Sequence, residues 1–206
     1  NFTNGIITDF YKTYYSNTQL ETSSILEKGK ELGQYKHYDS LGHLLLEGTF
    51  MNGQPHGTSI GYYTDGVVRH RFQYYMGGKT ETNYAYYHNG QVQTKEVITK
   101  SGLELSEETF TETGLAISEK HFLKGKPNGK WVYYQADGKS TDVVERYENG
   151  ALHGLRVTYH SNGEKATEEM YQFNLITGLV KNYYEDGKIQ WECTYRGSRM
   201  HGLYTA

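Results

Sequence analysis

The sequence predicts an all-β fold: an elongated single antiparallel sheet of about eight stacked 24-residue β-hairpin repeats. Three observations carry that expectation. Glycines recur at a fixed spacing, aromatic residues stand in phase with them, and Asp-Gly or Asn-Gly pairs punctuate the stretches between.

The glycines set the period. Gly33, Gly57, Gly129, Gly154, Gly178 and Gly202 are separated by 24, 72, 25, 24 and 24 residues, and 72 is three periods. Filling the gaps puts Asp9, Glu81 and Leu105 at the same phase. Units therefore start near 9, 33, 57, 81, 105, 129, 154 and 178, with a ninth begun at 202, and residues 1–206 read as one array. Repeats of this length mark folds in which each unit buries a face only against its neighbours.

Residues not used to set the phase obey it. Five places into each unit stand Tyr14, Tyr38, Tyr62, Tyr86, Phe110, Tyr134, Tyr159 and Tyr183, all aromatic in a chain that is 15% aromatic. Nine places in, Thr18 is followed by Gly42, Gly66, Gly90, Gly114, Gly138, Gly163 and Gly187. Seventeen places in come Leu26, Phe50, Tyr74, Ile98, Phe122, Tyr171 and Tyr195, with Tyr147 one place late. Positions one, three and five of a strand share a face. The fifth-position rings are therefore expected to form the core ladder, so that Tyr134 matters more to stability than Tyr133.

Each unit reads as a hairpin. Asp65-Gly66, Asn89-Gly90, Asp137-Gly138, Asn162-Gly163 and Asp186-Gly187 accept the positive φ angles of a tight turn. A second Gly-rich turn follows the second strand, as in Asn52-Gly53-Gln54-Pro55-His56-Gly57 or Asn149-Gly150-Ala151-Leu152-His153-Gly154. The additional residue between Gly138 and Tyr147 predicts a β-bulge. Asn4-Gly5 reads as the turn before the first unit, and open strand edges at the ends of an array predict edge-to-edge self-association.

Composition narrows the function. Hydrophobic residues make up 36% and mean hydropathy is −0.77, yet 21 tyrosines argue against disorder. Lys and Arg number 21 against 24 Asp and Glu, without a basic block, so the footprint of a nucleic-acid binder is missing. No apolar run approaches the roughly 18 residues of a spanning helix, so no membrane insertion is expected. Cys193, the lone cysteine, excludes an internal disulfide. The sequence starts at Asn1 rather than Met, which is compatible with a removed leader peptide.

No constellation predicts catalysis, a cofactor or a metal. Cys193 sits at a position that is Ser24, Gly48, Phe72, Glu96, Lys120 or Glu169 in other units, an ordinary variable strand site without a triad. His56, His153 and His201 share one phase, but equivalent atoms in successive hairpins lie ~9.6 Å apart, too far to share a zinc ion. They read as turn-shaping residues. Glu107-Glu108 and Glu168-Glu169 point to opposite faces, and Glu145 and Glu169 share a phase that repeat stacking alone explains. Gly125 to Lys130 lacks phosphate-loop spacing and reads as a turn. The remaining candidates are rings suited to interfaces: Tyr63, Tyr87, Trp131, Tyr133, Tyr184 and Trp191 form the candidate binding surface.

The stretch from Tyr147 to Tyr159, with Asn149-Gly150 and His153-Gly154, resembles the bacterial variant of the MORN repeat. Phe50 to Gly66, Phe122 to Gly138, Tyr171 to Gly187 and Tyr195 to Gly202 resemble it with small departures, and residues 78–114 depart by losing glycines. The resemblance implies a non-enzymatic scaffold that binds a protein partner, antitoxin-like or cell-envelope-associated, exported in preference to cytoplasmic. The phrase from Gly129 to Gly138 is similar to glucan- or choline-binding cell-wall repeats, which makes a carbohydrate-binding module the alternative.

Overall fold

The computed structural model describes residues 2–3, 6–99, 101–202 and 204–205, and among them every regular element is a β-strand. The Asn4-Gly5 turn and Leu203, where the ninth unit continues, lie outside the described residues. The chain divides into two compact units, Asn1–Gly102 and Leu103–Ala206.

In the first unit the long strands are Ile6–Tyr14, Leu20–Glu27, Lys30–Tyr38, Leu44–Met51, Gly57–Tyr62, Val68–Tyr75, Glu81–Tyr86 and Val92–Ile98. Each pairs antiparallel with its neighbour in sequence. The second unit repeats the plan with Glu104–Phe110, Ala116–Leu123, Gly129–Tyr134, Thr141–Glu148, Gly154–Tyr159, Lys165–Gln172, Gly178–Tyr183 and Ile189–Arg196. The predicted phase residues 57, 81, 129, 154 and 178 each open a strand.

The two turn types differ from expectation. At Asp65-Gly66 only the glycine takes a positive φ, 88°. The Tyr63 N–H reaches the Val67 carbonyl, and the Asp65 carboxylate accepts the Val67 N–H, closing a three-residue loop with one left-handed residue. The two-residue turn with both φ angles positive is instead the second one, seen at Asn52 (54°) and Gly53 (78°) and at Asn149 (52°) and Gly150 (94°). The twist of the flanking strands favours this mirror-image turn.

A bulge does occur, but in all eight hairpins. Thr13 faces Thr22 while Tyr14 faces Leu20, leaving Glu21 as the surplus residue, and the same step precedes every fifth-position aromatic. The additional residue after Gly138 lies in the turn itself. The Gln135 N–H bonds the Ser140 carbonyl, one residue further than the corresponding His160–Glu164 bond. Asp137 stabilises the longer tip by accepting the N–H groups of Lys139 (2.9 Å) and Ser140 (2.8 Å). An exposed tip tolerates insertion better than a hydrogen-bonded ladder does.

Side chains sort onto two faces. One carries positions one, three and five. The other carries the phase residue with positions two and four, opposed by seventeen, fifteen and thirteen: Gly57 faces Tyr74, Ser59 faces Phe72 and Gly61 faces His70. Burial is deepest on this second face, at Asn83 and Cys193 (both 1% exposed), Ser118, Ser24 and Val180; Val132 and Val157 are its counterparts on the first. The fifth-position rings are not fully buried, and Tyr14 is 57% exposed. For Tyr62, Tyr134 and Tyr183 the phenol tip explains this, because a tyrosine packs its ring and keeps its hydroxyl at a polar partner. Tyr62 donates to Glu47 (2.6 Å), Tyr134 to Glu119 (2.5 Å) and Tyr183 to Glu168 (2.6 Å). Tyr133 and Tyr134 are both half-buried, on opposite faces.

The sixth-position side chains Tyr15, Tyr63, Gln135 and His160 each bond a carbonyl of the next hairpin. Tyr15 donates to the Tyr38 carbonyl and Tyr63 to the Tyr86 carbonyl (both 2.9 Å), and Gln135 donates to the His160 carbonyl (2.8 Å).

Candidate binding groove

On the second face of the first unit, four consecutive strands enclose a cavity of about 550 Å³. Its floor combines Leu46 with two small residues. Gly48 and Ser59 lie across from one another on the central strands Leu44–Met51 and Gly57–Tyr62, with Gly61 beside them. The walls come from the flanking strands: Tyr35 and His37 on Lys30–Tyr38, and His70, Phe72 and Tyr74 on Val68–Tyr75. At ~4.8 Å per strand, the wall backbones stand ~14 Å apart.

The rings are held in place by packing. Tyr35 meets Phe50 at 5.2 Å between centroids, and His70 stacks on Phe72 at 4.4 Å and 15°. Phe72 then meets Tyr74 edge-on at 6.4 Å, and Lys79 Nζ lies 3.9 Å above the Phe72 ring. Gly61 is required for the His70 ring, since a Cβ there would come within 2.1 Å of its Cε1. Gly48 has an ordinary extended backbone, and its emptiness is a matter of side chain rather than conformation.

Polarity runs along the groove. Phe50, Pro55 and Tyr74 close the end near the two-residue turns. His37, Arg69 and His70 lie toward the other end, Arg69 being the surplus residue of its bulge. No carboxylate and no amide side chain lines the cavity. Burial, followed by the charges of Arg69 and Lys79, holds the His70 imidazole below its usual value. His37 Nδ1 is buried without a hydrogen-bond partner, a condition that costs ~1–3 kcal/mol.

The same positions in the second unit are filled. Trp131, equivalent to Ser59, packs between Phe122 (5.2 Å) and Tyr147 (4.5 Å) and donates its indole N–H to the His121 carbonyl. Arg156 spans Glu145 (3.1 Å) and Glu169 (2.9 Å), and those carboxylates accept the Tyr147 and Tyr171 hydroxyls. The equal-phase glutamates are thus a structural triad around one guanidinium. Burial first, and then the bond to Glu145, raises the Tyr147 phenol well above its usual range.

A cavity of about 530 Å³ on the first face is lined by His43, Tyr62, Thr64 and Asp65. Its polar groups are engaged, His43 with Asp39 (2.8 Å) and Asp65 with His88 (2.6 Å).

The candidate binding residues do not converge. Trp131 and Tyr133 share a face, with Lys120 over both rings (5.4 and 5.7 Å). Trp191 stacks on Tyr204, and Tyr63 is tied to the next hairpin. Tyr87 is half-buried and Tyr184 is 52% exposed, both at hairpin tips. The groove residues Tyr35, His37, Phe50, His70, Phe72 and Tyr74 were outside that set. A signal for them existed: Gly48, Ser59 and Gly61 replace residues such as Glu169, Trp131 and Tyr133 at the same phases. The Cys193 sulfur is buried and directed at the carbonyl of Thr194. His56 packs against Tyr75 and His153 against Phe173 at the turns.

Residues 176–196 match the family model of the MORN repeat variant. No curated protein matches the chain. The matched segment runs from Ile176, the end of the short strand Leu175–Ile176, through the strands Gly178–Tyr183 and Ile189–Arg196, one complete hairpin of the array.

Proposed function

We propose that this chain, which carries the MORN repeat variant at residues 176–196, is a non-catalytic scaffold that binds a protein partner through the second face of its first unit. The observation that carries the reading is the hollow over Gly48 and Ser59, bounded by aromatic walls that neighbouring rings already hold in position. Preformed concave sites of roughly 300–1,000 Å³ with apolar linings are where proteins place ligands. Rigid rings lose little conformational entropy on binding, which suits them to partner recognition. The sole thiol, Cys193, is 1% exposed, and the paired Glu145 and Glu169 are engaged by Arg156; neither is arranged as a nucleophile or general base.

The test is selection of a random peptide library displayed on phage against the intact protein and against Gly48→Phe. That substitution places in the floor the residue found at the equivalent Phe72. Enriched peptides should bind wild type and lose binding to Gly48→Phe, while thermal melts show both proteins folded. A library that yields no binder, or binders indifferent to Gly48→Phe, would overturn the reading.

A further inference from the structure

The geometry points to one kind of occupant for the groove: an acidic peptide segment carrying a single large aromatic side chain. This deepens the scaffold reading and rests on it. Three features of the cavity converge on that chemistry.

The first is charge. The whole chain has a formal charge of −3, so a surface region without carboxylates is a local departure. Among the residues that line the cavity there is no Asp or Glu, while Arg69 carries a positive charge; Lys79, over the Phe72 wall, is already paired with Glu96 (2.8 Å). Arg69 is exposed and makes no ion pair with a described carboxylate, so its guanidinium is available to a ligand. An arginine accepts a carboxylate with two parallel hydrogen bonds, which gives orientation as well as attraction.

The second is the position of the charge. The bulge places Arg69 beside His70 at one end, and Phe50, Pro55 and Tyr74 close the other. A ring entering the closed end therefore leaves flanking carboxylates near Arg69. Aromatic rings prefer tilted or offset neighbours, and Tyr35, Phe50, Phe72 and Tyr74 offer both faces and edges at the spacing such contacts use.

The third separates a peptide from a sugar. A saccharide presents many hydroxyls that both give and take hydrogen bonds, which carboxylates and amides match. The cavity lining holds none of either.

The experiment uses the full chain and fluorescence anisotropy of a labelled eight-residue peptide with one Trp between two pairs of acidic residues. Two altered peptides replace the acidic residues by Lys or the Trp by Ala, and a linear oligosaccharide is added as competitor. The acidic Trp peptide should bind about tenfold or more tightly than either altered peptide, about tenfold less tightly to Arg69→Glu, and not at all to Gly48→Phe. Arg69 is exposed, so Arg69→Glu keeps the fold while reversing the local charge. Equal binding of the acidic and basic peptides, or indifference to Arg69→Glu, would overturn the inference. If displayed peptides dock in the groove but are neutral or basic, this inference fails and the scaffold reading stands. If the oligosaccharide binds there and no peptide does, both fall.

Discussion

The two halves of this chain are built from one hairpin plan, yet their second faces are opposites. Around Gly48 and Ser59 the first unit leaves a cavity ringed by aromatic residues. In the second unit, Trp131 occupies the place of Ser59 and Arg156 bonds two glutamates across three strands. The repeat thus fixes backbone and register while leaving each second-face position free. Filling those positions yields a self-supporting unit, and emptying them yields a site.

Substitutions on either side of that contrast should behave asymmetrically. Trp131→Ala removes the ring between Phe122 and Tyr147 and leaves the His121 carbonyl without its indole donor. The expected loss is about 3 kcal/mol, at the lower end for core aromatic truncation because the residue is half-buried. The mirror change Gly48→Phe should shift stability by no more than about 1 kcal/mol, since it adds a side chain where space exists. Urea melts of both proteins would decide, and equal losses would mean the first-unit cavity is no real void.

Arg156→Ala comes next. It leaves Glu145 and Glu169 unneutralised and mostly shielded from water, at 14% and 19% side-chain exposure. Breaking a fully buried pair costs more; with Arg156 itself 26% exposed, about 2 kcal/mol is expected. Arg69→Ala in the first unit should cost less than about 0.5 kcal/mol, as for an exposed residue. The contrast is readable in the same melts.

Alkaline titration probes a feature both units share. The Tyr134 phenol, bonded to Glu119 and partly buried, is pushed up to about 12. Burial and then the bonds to Glu47 and Glu168 do the same to Tyr62 and Tyr183. An unfolded tyrosine ionises near 10. The folded values are higher, so this stabilisation is complete below pH ~10 and is lost as pH rises through about 12. The urea midpoint should fall across that window, and less steeply in Glu119→Gln. A midpoint independent of pH up to 12 would remove these phenol–carboxylate bonds from the account.

The smallest effect is a gain. Glu81 (φ 55°) and Thr18 (φ 69°) occupy left-handed positions that are glycine in most other hairpins. Glu81→Gly and Thr18→Gly should each stabilise by about 0.5–1 kcal/mol, the relief of strain offset by the greater entropy of glycine in the unfolded chain. The strand openings Gly129, Gly154 and Gly178 of the second unit are glycine already and offer no such gain. Differential scanning calorimetry would register the gain as a rise in Tm.

Much of this architecture was legible in the sequence because turns are local. The spacing of Gly57, Gly129, Gly154 and Gly178 located strand starts, and Asn52-Gly53 marked a chain reversal wherever the exact turn type fell. The faces were harder. Tyr133 and Tyr134 are equally apolar neighbours, and alternation alone says they diverge without saying which side is deeper. The groove was hidden for a further reason. Gly48 and Ser59 become opposite one another only through pairing between successive hairpins, a register set by the turn at Asn52-Gly53 and by the two-residue shift between the Phe50–Pro55 and Glu47–Ile60 pairs. Their smallness also looks like ordinary variation until the Trp131 and Glu169 equivalents are laid beside them.

The lengthened tip between Gln135 and Ser140 has a meaning beyond its own hydrogen bonds. A ladder of antiparallel strands is a counting device, and one miscounted residue would turn every later side chain to the wrong side. Here the surplus is cancelled before the next pair forms: Tyr134 faces Thr141, and from Tyr133 and Val143 onward the ladder runs in step. Each hairpin tip therefore resets the tally. Gly138 itself packs against Leu115, so cargo spliced after the exposed Lys139, whether a fluorophore, an affinity tag or a whole reporter protein, should ride on the edge without disturbing the rungs beneath it.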